Sequence, residues 1–360
     1  MISLPPLQIG DLCVRIPIIQ GGMGVGVSLS GLASAVANEG GVGVIATIMV
    51  GMDDPEVFSD SKNADAQALR REIRRARSLT NGALGVNIMV AASNYATLVE
   101  TAVEEGIDLI FAGAGLPLDL PHYLNGATRP KLLPIVSSGR AASLICKKWA
   151  AKFTRVPDAF VVEGPMAGGH LGLKLEQIND PAFALEHLVP EVIAAVKPFE
   201  AQYGRPIPII AAGGIYTGAD IHKFLQMGAA GVQMGTRFVA TDECDADIAF
   251  KQAYIDAKEE NIVIIKSPVG LPGRAIRNAF LEDVAQGNKV PFSCPYHCIT
   301  TCDVQHSPYC IAAALVNAKK GRLKHGFAFC GHNAYRVDRI MPVKELIATL
   351  TAEFEHAANA

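Results

Sequence analysis

The residues with the clearest chemical potential are Glu163-Gly164-Pro165-Met166-Ala167-Gly168-Gly169-His170. They follow the apolar run Asp158-Ala159-Phe160-Val161-Val162, which reads as a buried parallel strand opening into a functional loop. An imidazole titrates near neutrality and can polarise or hydrogen-bond a reacting group, so His170 is the catalytic candidate. Gly168 and Gly169 carry no Cβ, which lets a flat ligand lie against the backbone beside it. Two further glycine-rich turns lie downstream. Ile209-Ile210-Ala211-Ala212-Gly213-Gly214-Ile215 ends a strand in paired glycines ahead of a helix expected near Thr217, and Gly231-Val232-Gln233-Met234-Gly235-Thr236 repeats the device with a hydroxyl donor at Thr236. Converging backbone N–H groups at such turns suit a phosphate. Gly22, Met23, Asn87 and Glu163 come from other strand ends and could line a flat heteroaromatic ring, with Asn87 and Glu163 addressing its polar atoms. A phosphate tail and a flat ring together suit a flavin.

The elements that must position these residues recur along the chain. Ile16 to Gln20, Val42 to Ala46, Leu84 to Met89, Ile107 to Ala112, Leu132 to Val136, Asp158 to Val162, Ile207 to Ala211 and Gly231 to Met234 are short strand candidates. Helical sequence lies between them, at Asp65 to Leu79, Tyr95 to Glu105, and around 117–125, 140–152 and 181–203. The pattern predicts an α/β fold, a (β/α)8 TIM barrel, in which the chemistry gathers at the carboxyl ends of the strands. A doubly wound open sheet is the rival arrangement. We expect a flavin-binding barrel over 1–244 and a helical, cysteine-rich C-terminal appendage over 245–360, packing over the active-site face.

Within that appendage Cys294, Cys298, Cys302 and Cys310 follow a C-x3-C-x3-C-x7-C pattern. A helix over 294–302 would bring the first three thiols to one side, where an iron–sulfur cluster or zinc could be held. The spacing is wider than the usual C-x2-C pairs, and thiols that merely pack the appendage onto the barrel are the alternative. Cys13, Cys146 and Cys244 read as buried thiols. His122, His187, His222, His325, His332 and His356 read as surface or helix residues, whereas Asn333 and Tyr335 could cap the pocket.

The 360 residues are 50% hydrophobic and 19% charged, with a formal net charge of −3, which suits a large core and argues against nucleic-acid binding. The one basic cluster, Arg70, Arg71, Arg74, Arg75 and Arg77, includes Glu72 and reads as a solvated helix face. No apolar run is long enough to span a bilayer and no signal-peptide pattern opens the chain, so a cytoplasmic location is expected, with the eight cysteines as thiols or metal ligands.

The stretches Pro17-Ile18-Ile19-Gln20-Gly21-Gly22-Met23, Gly85 to Met89, Gly113-Ala114-Gly115, Glu163 to Gly172, Ala211 to Ile215, Gln233 to Phe238 and Gly273 to Asn278 resemble the nitronate monooxygenase (2-nitropropane dioxygenase) family and the related FMN-dependent enoyl-acyl carrier protein reductases. The resemblance implies FMN, with Gly22, Met23, Asn87, Glu163, Gly168, Gly169, Gly213, Gly214, Gly235 and Thr236 as its contacts, and His170 as the active-site histidine. It implies oxidation of an alkyl nitronate with O2 or, in the reductase, use of NADH to reduce an enoyl thioester. A non-catalytic flavin-binding redox sensor is a further alternative. An inosine-monophosphate dehydrogenase type would need a nucleophilic Cys where this chain has His170. The expected partners are a small-molecule substrate, NAD(P)H for the reductase, and a second copy in a homodimer.

Overall fold

A computed structural model describes residues 3–55, 60–288, 294 and 297–360. A hairpin of β1 (Leu7–Ile9) and β2 (Leu12–Val14) comes first. The barrel strands are β3 (Ile18–Gln20), β4 (Val42–Ala46), β5 (Ala83–Met89), β6 (Leu109–Gly113), β7 (Lys131–Val136) and β8 (Phe160–Glu163); β9 (Gly169–His170) leaves the barrel; β10 (Ile209–Ala212) and β11 (Gly231–Met234) complete it. All eight barrel strands pair in parallel, and β10 pairs with both β8 and β11, so the sheet closes. The open sheet is excluded and the expected TIM barrel is present.

Alternation along each strand splits the core into two. Val161 of β8 packs inside the barrel with Ile19, Phe111, Leu133 and Ile210, while its neighbours Phe160 and Val162 face the helices. Strands β4, β6 and β10 are buried throughout, as sheets covered on both faces require. Leu7 and Ile9 join the inner cluster, and Leu7 reaches Gly231 at the start of β11. The hairpin therefore plugs the amino end of the barrel and leaves the carboxyl end open.

Helices α1 (Ser30–Asn38), α2 (Ser61–Leu79), α3 (Tyr95–Glu104), α4 (Gly139–Phe153), α5 (Leu185–Tyr203) and α6 (Gly218–Gln226) surround the strands. Helix α2 starts four residues earlier than its apolar pattern predicts, because the Asp60 side chain accepts from the Asn63 amide and caps it. Its arginines face outward: Arg70 and Arg74 pair with Glu105, and Arg77 with Asp108, as a solvated face should. Around 117–125 only a 3-10 turn forms, Leu120–Leu124, with Pro121 in its first turn. Helix α1 has Leu29 at its N-cap, which offers no acceptor. Asp245 supplies one from 216 residues away, accepting from the Leu29 and Leu32 amides at 2.8 and 3.2 Å.

After β11 come α7 (Thr236–Val239), α8 (Ile248–Ile255), β12 (Ile262–Lys266), β13 (Pro272–Ile276), α9 (Ala279–Ala285), α10 (Ile311–Lys319) and α11 (Val343–Asn359). Strands β12, β13 and β9 form an antiparallel sheet above the barrel mouth. Helix α11 returns to the barrel wall, packing on α6 and α1, where Gly218 leaves room for its backbone at Leu350 and Phe354.

The cysteine-rich stretch differs from expectation. No helix forms at the described residues 294 and 297–302; Ile299 bridges Ala92, and the Ser93 amide donates to Cys298, docking the stretch on the loop after β5. Residues 295 and 296 lie outside the described residues. The expected zinc or iron–sulfur site at Cys294, Cys298, Cys302 and Cys310 finds no support: the four thiols lie near enough for their neighbours to add to the rise that burial causes in the Cys298 pKa, but among the described residues no group of three or more His, Cys, Asp or Glu is placed to hold a metal ion. Cys298 and Cys310 instead pack beside Val25, Met49, Ala312 and Val316, and burial pushes the Cys298 thiol up to about 12, which keeps it protonated. Cys146 and Cys244 are buried as expected. Cys13 is exposed, because it occupies the outward position of β2. No helix among the described residues is long and apolar enough to cross a membrane.

Candidate active site

Every loop at the carboxyl end of the barrel opens on one cavity of about 1540 Å3. Gly22, Met23, Asn87, Glu163, Gly168, Gly169, His170, Gly213, Gly214, Gly235 and Thr236 all line it, so the predicted residues come together without exception. Asn333 lines it too and donates to the Gly214 carbonyl at 2.7 Å, whereas Tyr335 does not reach it.

One wall consists almost wholly of backbone. Gly213 and Gly214 have φ of 91° and 95°, in the left-handed region that glycine alone enters freely. The amides of Gly213, Gly214, Ile215 and Gly235 make no hydrogen bond among the described residues and remain available to an anion. Helix α6 plays a smaller part than predicted. Its first amides are already satisfied, by a Thr217–Asp220 capping box and by Glu353, which accepts from Gly218 at 2.7 Å. The anion donors are the turns themselves.

The floor is shaped by close approach. A Cβ on Gly22 would collide with that of Asn87 on β5. The backbone of Cys330 and Gly331 fills the space that a Gly168 side chain would take, so this glycine also admits the chain that follows the barrel. Gln233 was missed as a site residue. Its Oε1 is buried, lines the cavity and has no partner among the described residues. Its place on the last barrel strand, between Val232 and Met234, was the available signal.

A second wall, on the loop after β8, holds His170. Strand β9 pairs antiparallel with β13, setting His170 opposite Gly273, and the Leu171 amide donates to Pro272 at 2.9 Å. The imidazole Nε2 is 2.7 Å from the Ser267 hydroxyl, and the ring meets the Phe329 ring edge-on at 5.0 Å. Burial pushes the His170 pKa down to about 4, so the ring is neutral at ordinary pH. Glu163, at the end of β8, is pushed up to about 7 by burial, opposed by the Gly172 amide. Arg274 was in a matching stretch but received no role. Its buried guanidinium donates to the Pro165 and Ala167 carbonyls at 2.7 and 2.6 Å, tying down the loop that carries His170. His332, expected at the surface or in a helix, lines the cavity in a 3-10 turn, where burial lowers its pKa.

Free amides, close-packed glycines and a neutral imidazole lining one cavity fit a phosphate-tailed flavin; fold and site define a barrel oxidoreductase. The nitronate monooxygenase family profile matches residues 7–108 and 90–353. The chain belongs to the nitronate monooxygenase family and is an FMN-dependent oxidoreductase. It is 30% identical over 273 residues to the 5-hydroxy-7a-methyl-1-oxo-octahydro-1H-indene-4-carboxyl-CoA dehydrogenase of Mycobacterium tuberculosis, covering 76% of this chain and 66% of that protein. A probable nitronate monooxygenase of Staphylococcus aureus is 28% identical over 311 residues, covering 76% of this chain and 79% of its own length. Among solved structures, FabK from Thermotoga maritima superimposes with a TM-score of 0.74 at 28% identity over 96% of this chain and 94% of that one. A nitroalkane oxidase from Streptomyces ansochromogenes, at 23% identity and a TM-score of 0.73 over 96% and 97%, shares the fold.

Proposed function

We propose that this chain oxidises alkyl nitronates with O2 in the manner of its family. Gly213, Gly214, Gly235 and Thr236 bind the FMN phosphate, and Gly22, Met23, Asn87, Glu163, Gly168 and Gly169 line the ring. Bound FMN supplies the electron acceptor that no side chain here provides. His170 meets the substrate. The observation that carries this reading is the neutral imidazole that shares one cavity with the free amides of Gly213, Gly214, Ile215 and Gly235. As an uncharged donor it orients an anionic nitronate oxygen through a hydrogen bond, without an ion pair that would hold the substrate as tightly before reaction as during it.

A second reading, reduction of an enoyl thioester with NAD(P)H, is favoured by the character of the cavity. Its appendage side is apolar, with Val25, Met49, Val269, Ile299, Ile311 and Leu315, which suits an acyl body. Anaerobic mixing of the FMN-loaded protein with NADH, NADPH and an alkyl nitronate separates these readings. Bleaching of the flavin band by the nitronate alone is expected. Bleaching by a pyridine nucleotide alone replaces the proposal with the reductase, and bleaching by none leaves a flavin-binding sensor. A cytoplasmic homodimer completes the proposal, and sedimentation at micromolar concentration tests the dimer.

A further inference from the structure

His170 is held by a residue from outside the barrel. Ser267 stands in the turn between β12 and β13, 97 residues further along the chain, and is almost fully buried. Its backbone is fixed at both ends, the amide donating to Leu271 at 3.0 Å and the carbonyl accepting from Gly270 at 3.0 Å. Its hydroxyl oxygen accepts a long bond from the Val269 amide at 3.4 Å. Among the described residues the hydroxyl proton has a single acceptor within reach, His170 Nε2 at 2.7 Å.

That inventory decides the direction of the bond. Were Nε2 the donor, the Ser267 proton would be left buried without an acceptor, a loss of about 1–3 kcal/mol. A hydroxyl rotates to suit its surroundings, so the favourable arrangement has Ser267 donating to Nε2. A neutral imidazole that accepts at Nε2 carries its proton at Nδ1. Nδ1 has no partner among the described residues, and His170 lines the cavity.

We infer that Ser267 is a positioning residue that locks His170 in the Nδ1–H tautomer, so that the hydrogen bond offered to the ligand comes from Nδ1. The β12–β13 turn thus sets the chemical identity of the active-site imidazole as well as its orientation. The same bond explains the ring's neutrality from a second direction, since a donor to the neutral form opposes protonation, and burial already does so. No charge competes. Phe329 offers an apolar edge, Arg274 on β13 spends its donors on Pro165 and Ala167, and no effect of Glu163 or His332 on the His170 pKa is resolved. The tautomer follows from the chain alone; its part in turnover rests on the function proposed above.

Two-bond 15N–1H correlation spectra of the 15N-labelled full chain, without and with FMN, read the tautomer directly. For His170 we expect a protonated Nδ1 and an unprotonated Nε2. A resonance pattern with the proton on Nε2 overturns the inference, whatever the enzyme's substrate proves to be. In Ser267→Ala the fixed pattern should give way to a mixture or to Nε2–H, and the His170 pKa should rise by about one unit, a tenfold change in its protonation equilibrium. Ser267→Thr keeps the hydroxyl and should restore both. In turnover the acid limb of the kcat/KM profile should shift upward in Ser267→Ala and return in Ser267→Thr. An Ala variant with unchanged tautomer and unchanged titration overturns the inference, and should that variant not fold, the wild-type spectrum and the Thr variant still decide it. Failure of the nitronate assay with the expected tautomer present refutes the proposed substrate and leaves the role of Ser267 standing.

Discussion

The two walls of the cavity are built on different principles. The anion wall, from Gly213 to Ile215 and at Gly235, uses backbone amides at the ends of two adjacent barrel strands, braced by Asn333 donating to the Gly214 carbonyl. The histidine wall is composite. His170 leaves β8, pairs with β13, takes a hydrogen bond from Ser267 and an aromatic edge from Phe329, and has its loop tied by Arg274. In the proposed function the donors to the anion are thus a local property of the barrel, while presenting the imidazole depends on a segment about a hundred residues away. Damage to one wall should reduce flavin retention, and damage to the other should reduce turnover with flavin still bound.

The strongest test of this contrast is His170→Ala. Removing a positioned imidazole should lower kcat/KM by roughly 10²- to 10⁴-fold, with FMN content by absorbance unchanged; loss of flavin would merge the two walls. On the barrel side, Gly22→Val drives a side chain into Asn87, and FMN affinity by fluorescence titration should fall by roughly 5- to 150-fold if the 1–3 kcal/mol typical of overpacking falls on the bound state. Arg274→Met leaves the Pro165 and Ala167 carbonyls without donors. It should destabilise the chain by about 2 kcal/mol in urea titration and lower kcat more than FMN affinity. The smallest effects concern pH. Glu163 titrates near 7 when folded, above its ordinary 4.5, so its contribution to stability is lost as pH rises from about 4.5 through 7. Glu163→Gln should therefore melt higher than wild type above pH 7 and equal to it below 4.5. His170 has the opposite sign: its pKa falls from 6.5 to about 4, so stability is lost as pH falls through that window.

The same division explains what could be read from the sequence. Val- and Ile-rich runs at strand length, each followed by helical spacing, made all eight barrel strands legible, and glycine pairs at their ends marked the anion wall. Ser267 carried no such signal, because a lone serine in a turn acquires its role only when β9 and β13 pair. His332 likewise gains its place only when the chain after the barrel folds back over the cavity. The C-x3-C-x3-C spacing suggested a helix, but pairing of Ile299 with Ala92 prevailed over the local pattern. Gly168 was noticed for its small size, but not for the backbone at Cys330 that it also admits.

Helix α11 fills the gap between α6 and α1, and Val343 lies 305 positions after Asn38. A nascent chain emerging from the ribosome would have made every strand of the ring while the flank of α1 still lacked its neighbour. Leu346, Ile347 and Leu350, all buried in the finished wall, cover it only when synthesis has passed them. Until then the first helix presents a greasy stripe to solvent, a natural handle for a holdase, and removing the final turns of the chain would make that transient exposure permanent.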